Sequence, residues 1–73
     1  MSVRAIQFEL QVREFIELND LLKVTGVFDS GGTAKTAITE GLVNVDGKPE
    51  MRRRCKIRKG QTVVYGERRI EVK

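Results

Sequence analysis

Histidine and tryptophan are absent from the 73 residues, and cysteine and proline occur once each. Without histidine, imidazole-ligated zinc, Ser-His-Asp triads and histidine general bases are excluded. A single Cys rules out an intramolecular disulfide and the multi-cysteine zinc and iron–sulfur patterns. Aromatic residues make up only 5% of the chain. Phe8 and Phe15 read as core or near-core residues and Tyr65 stands late in a strand, so a base-stacking platform is poorly supplied. No apolar run approaches the ~20 residues that cross a bilayer. Met1 to Phe8 alternates apolar and polar residues, unlike the continuous apolar core of an export signal. Small chains in oxidising compartments usually carry several disulfides. A cytoplasmic protein with no membrane partner, no metal and no cofactor is expected. At this length the chain is read as one domain, 1–73, with a small core. That suits a binding module better than an enzyme.

What the chain has in excess is positive charge, and it is unevenly placed. Residues 1–47 hold four Lys/Arg against seven Asp/Glu, a net of −3, whereas residues 48–73 hold ten against three, a net of +7. No linker, repeat or low-complexity stretch separates the halves, so the asymmetry marks one face of a single domain.

Periodicity gives the elements. Ile6, Phe8 and Leu10 alternate with polar residues, the period of a half-buried strand. Leu18, Leu21 and Leu22 predict a short amphipathic helix running to Lys23 or Val24 and ended by Thr25-Gly26. Phe28 is expected between the helices. Ser30 is a good N-cap for a second helix whose Ala34, Ala37 and Ile38 share one face, with Gly41 at the left-handed position after it. Leu42 to Val45 then leads into Asp46-Gly47, a strong hairpin signal. Met51 to Arg58 alternates as a further strand, followed by Gln61–Tyr65 and by Arg68–Val72 with Ile70 and Val72 inward. The fold class is α+β, two short helices packed on a small antiparallel sheet with an N-terminal strand.

The run Met51-Arg52-Arg53-Arg54-Cys55-Lys56-Ile57-Arg58 carries the chemistry. As a strand it puts Arg52, Arg54, Lys56 and Arg58 on one face, about 6.6–7 Å apart, and Met51, Arg53, Cys55 and Ile57 on the other. Like charges so placed repel unless a polyanion neutralises them. The bland reading is a charged edge strand that resists aggregation; one or two Lys suffice for that, and the guanidinium fork suits phosphate oxygens. Ser30-Gly31-Gly32-Thr33-Ala34-Lys35 offers bare amides and an ammonium near a helix start, which favour a phosphate, though the glycines equally permit close helix packing. The Walker pattern is not met. Cys55 reads as a small core residue, because no histidine stands by to activate it.

The stretch from Ser30 to Gly47, with Lys59-Gly60-Gln61-Thr62-Val63, resembles the RNA-binding domain named after small-subunit ribosomal protein S-four. The likeness covers about residues 17–65. The segment Glu17 to Lys23 and the Arg-Arg-Arg-Cys-Lys-Ile run look most like its short, stand-alone YbcJ-like branch. The resemblance implies the αL RNA-binding motif and binding of structured RNA, often ribosomal RNA. By match it implies contacts from Lys35, Asp46, Gly47 and Lys48, joined by the arginines that follow. The chain departs from the family pattern at Glu17 and Asn19 and at Gly31, where the family usually carries arginines. It also has Asp46 for the usual Asn and Gln61 for the usual Asp. These departures shift the expected contact toward Arg52–Arg58.

The expectation is a monomeric, non-catalytic protein that presents Lys35, Asp46, Gly47, Lys48, Arg52, Arg53, Arg54, Lys56 and Arg58 to structured RNA, ribosomal or ribosome-associated. The alternative is an adaptor docking an acidic protein on the same basic face.

Overall fold

The computed structural model describes residues 4–73. The alternation read from Met1 is therefore followed from Arg4, and Met1–Val3 lie outside the described residues. The chain order is β1 (Arg4–Phe8), β2 (Ile16–Glu17), α1 (Leu18–Val24), α2 (Gly31–Thr39), β3 (Val43–Val45), β4 (Lys48–Pro49), β5 (Lys56–Ile57), β6 (Thr62–Tyr65) and β7 (Arg68–Val72). Five strands form one sheet in the order β1-β7-β6-β3-β4, and β2 pairs with β5 beside it. The sheet is antiparallel except for β1, which joins β7 in parallel with Ile6 opposite Ile70 and Phe8 opposite Val72. A parallel pair needs a long crossover, and here everything from β2 to β6 lies between the two partners.

Strand period puts one row of side chains against the helices. Val45 lies opposite Val63, and Val63 opposite Ile70. Over this row pack Leu18, Leu21 and Leu22 of α1 with Ala34, Ala37 and Ile38 of α2, all buried. Leu10, Ile16, Val27, Val43, Ile57 and Val72 complete the core.

The α2 boundaries follow the sequence signals. Ser30 Oγ accepts from Thr33 N at 3.4 Å, and Thr33 Oγ1 donates to the Ser30 carbonyl at 3.0 Å. At the other end Gly41 has φ +76°, Gly41 N donates to Ile38 O and Leu42 N donates to Ala37 O. This is a Schellman closure, which a left-handed residue at that point requires. Asp46 and Gly47 both have positive φ, 52° and 86°, the two-residue turn whose twist matches a hairpin.

Two expectations are corrected. Met51–Arg58 is not a continuous strand: only Lys56–Ile57 pairs, and Arg53–Arg54 form a turn closed by Cys55 N donating to Arg52 O at 3.1 Å. The cause lies in α1, which begins after Glu17 with no side-chain cap. Its first amides need acceptors, and Leu18 N donates to Cys55 O at 2.9 Å while Asn19 N donates to Arg53 O at 3.0 Å. The first of these bonds continues the β2–β5 register, and beyond it the chain turns at Arg53–Arg54 toward the start of α1. Met51, expected on the apolar face, is 60% exposed. The second correction concerns Phe28, which packs on Tyr65 of the sheet, ring centroids 4.7 Å apart.

Candidate nucleic-acid interface

The β3–β4 hairpin and the segment from Glu50 to Gln61 enclose an open groove of about 880 Å³. Lys48, Arg52, Lys56, Arg58 and Lys59 line it, with Asp46 and Glu50 as the acids. Of the residues expected at the site, the fold thus gathers Asp46, Lys48, Arg52, Lys56 and Arg58. Gly47 shapes the turn at the rim. Arg54 borders a neighbouring hollow with Arg52, Cys55 and Lys56, and Arg53 is exposed in the turn. Lys35 is exposed on α2, one turn beyond Gly31, and does not line the groove.

Of the expected row, Arg52, Lys56 and Arg58 share the groove and Arg54 stands in the adjoining hollow, and they differ in their partners. Arg52 is held by Glu50: its Nε and backbone N–H each donate to Oε2 at 3.0 Å, and Nη2 donates to Oε1 at 3.3 Å. Arg54 Nε stands 3.7 Å from Glu17 Oε1. Beneath Lys56 and Arg58 lies Phe15, 4.9 Å from Nζ and 5.9 Å from the guanidinium carbon, within cation–π range. Lys48, Arg53, Lys56, Arg58 and Lys59 make no ion pair among the described residues.

Asp46 is a structural residue of the groove. Its Oδ1 accepts from Thr62 N at 2.9 Å and its Oδ2 from Gln61 Nε2 at 3.0 Å. Gln61 Oε1 in turn accepts from Arg58 N at 2.7 Å. One side chain therefore ties the hairpin turn to the backbone that carries Arg58. The bonds to Gln61 and Thr62 hold the Asp46 carboxyl below the ordinary range. Sequence reasoning missed Gln61, Glu50, Phe15 and Lys59. The signal for Gln61 was its departure from the family pattern together with that of Asp46; the two departing residues bond to each other.

The Arg52 hydrogen bonds pull the Glu50 carboxyl down to about 2. A depressed carboxyl contributes stability that is complete above its unfolded value near 4.5 and is lost as pH falls toward about 2. We expect the Glu50 side-chain carbon resonance to titrate near 2, and to move toward 4.5 in Arg52→Ala. An unchanged midpoint in the variant would show that the fork is not the cause. Burial is the chief influence raising the Cys55 thiol, with Glu50 adding to it, so the sulfur stays protonated and poorly nucleophilic.

No group of three His, Cys, Asp or Glu among the described residues is placed to hold a metal, and no described helix is long and apolar enough to cross a membrane.

Comparison with known proteins gives the geometry its context. The family model described as the S4 domain matches residues 8–73. YbcJ of Escherichia coli (strain K12) is 49% identical over 65 residues, covering 89% of this chain and 93% of that protein. A YbcJ protein of Shigella flexneri matches at the same identity and coverage. The solution structure of E. coli YbcJ, described as revealing an αL motif involved in RNA binding, aligns with a TM-score of 0.72 at 48% identity. That alignment covers 90% of this chain and 84% of the other. The likeness read over about residues 17–65 thus extends to residues 8–73, and the chain belongs to the S4-domain family, with the αL motif of its YbcJ branch as its fold.

Proposed function

We propose that this chain, acting as a single monomeric domain in the cytoplasm, binds structured RNA without catalysis, through phosphates seated along the basic groove. The observation that carries the proposal is the convergence of Lys48, Arg52, Lys56, Arg58 and Lys59 on one concavity about 880 Å³ in size. The described role of the E. coli YbcJ motif in RNA binding supports the nature of the polyanion. Ribosomal RNA is the class we favour, on the family resemblance. Lys35 and Arg53 extend the contact beyond the groove, and Gly47 lets the hairpin turn approach a backbone closely. Asp46 acts indirectly, through Gln61 and Thr62.

Phosphate contacts displace condensed counterions, so affinity falls with salt. For about 4–6 phosphates the slope of log K against log salt is roughly −3 to −5. A fluorescence titration of a folded RNA hairpin at several salt concentrations measures it. A flat dependence, or retention of an acidic protein but no RNA after nuclease treatment, would replace this reading with that of a protein adaptor.

A further inference from the structure

A second concavity, of about 610 Å³, shares no lining residue with the basic groove. It lies at the opposite ends of the same strands: Tyr65 ends β6 and Arg68 begins β7, whereas the groove takes in Val45 and Gln61 at the other ends. Its apolar wall is the Phe28–Tyr65 ring pair together with Leu42, which is 50% exposed. Arg68 also lines it: Nη1 donates to the Val27 carbonyl at 2.7 Å, which fixes the side chain against the loop behind the hollow while its positive charge remains. Asp29 and Glu40 line the remainder, both exposed and neither in an ion pair among the described residues.

In a chain of net charge +4 this hollow carries two unpaired carboxylates beside exposed apolar surface. A complementary occupant has a cation for the carboxylates and an apolar side chain for the Leu42–Tyr65 wall. We propose that this hollow is a docking site for a short protein segment in which Arg or Lys adjoins a large apolar residue. Because the two concavities are separate, such a segment and RNA bind together. The protein then bridges an RNA to a second, basic polypeptide.

The test uses the whole chain. A display library of random linear heptapeptides is selected on it and counter-selected on Asp29→Lys/Glu40→Lys. That variant keeps its fold, since both positions are exposed and Lys at Glu40 complements a helix C-terminus; an unchanged circular dichroism spectrum checks this. The expected result is enrichment of sequences pairing Arg or Lys with Leu, Ile or Phe. One enriched peptide, titrated into isotopically labelled protein, should shift the amides of Phe28, Thr36, Leu42 and Tyr65 and leave those of Lys48 and Arg58 in place. Charge reversal should weaken it about tenfold or more. Failure to enrich over the reversed variant, enrichment of acidic sequences, or shifts confined to the basic groove would each overturn the proposal. None of these readouts depends on RNA, so the outcome is separable from that of the groove.

Discussion

Replacing Lys56 and Arg58 together with Gln is expected to weaken binding of a folded RNA by about 100-fold. A hydrogen bond to a charged group contributes roughly 1.5–3 kcal/mol; taking the lower value for exposed side chains, two lost contacts cost about 3 kcal/mol, and each 1.4 kcal/mol is tenfold. The salt slope should become shallower by about 1.4–1.8, two phosphates at 0.7–0.9 each. Neutral Gln is preferred to Glu because Lys56 lies opposite Glu17 in the β2–β5 pair, where a new carboxylate would add repulsion. Arg52→Gln is the instructive contrast. Arg52 already spends its fork on Glu50, so its loss should cost several-fold less than that of Arg58. Equal effects at both positions would mean that Glu50 releases Arg52 when RNA binds. Retention of full affinity by the double variant would remove the groove from the binding site.

Ile57→Ala should take away much of the stability of the domain. Ile57 is fully buried, pairs with Ile16, and stands between the two cations just considered. Truncating a buried Ile to Ala costs about 2–5 kcal/mol, against a total of roughly 4–11 kcal/mol for a chain of this length. At about 4–8 °C per kcal/mol, the melting temperature should fall by roughly 8–40 °C. Thermal unfolding followed by circular dichroism measures the shift. A change of a degree or two would mean that the β2–β5 pair is peripheral to the cooperative core. Above the melting temperature of the variant, RNA affinity should vanish too, since the same residue seats the groove.

Local signals carried most of the αL motif. The Ser30 cap, the Ala34/Ala37/Ile38 stripe, the Gly41 closure and the Asp46-Gly47 turn are each decided within a few residues, and each was legible. The run from Met51 to Arg58 was not. Its alternation fits a strand, but its conformation is set by the bare amides of α1, more than thirty residues earlier. The one warning was Glu17, which stands where Ser, Thr, Asp or Asn would have capped the helix. The parallel seat of β1 was hidden for a related reason, since nothing in Arg4–Phe8 specifies which distant strand it meets. At the site, composition identified the cations but not their availability. Glu50, two residues from Arg52, decides that through geometry.

The β1–β7 ladder bears on the order of events during synthesis. Arg4 pairs with Arg68, so the earliest strand to be translated has no sheet neighbour until the latest strand of the set has emerged. Leu10 N and Lys73 N close the same seam, donating to Lys73 O and Phe8 O at 2.8 Å each. While the chain is being made, Ile6 and Phe8 therefore stay solvent-facing on an unsatisfied edge, a state in which a nascent polypeptide can recruit foreign strands. Contacts of such long sequence separation form late. Covering that unpaired strand with a holding chaperone, or shortening its wait by fast elongation, should raise the yield of folded protein.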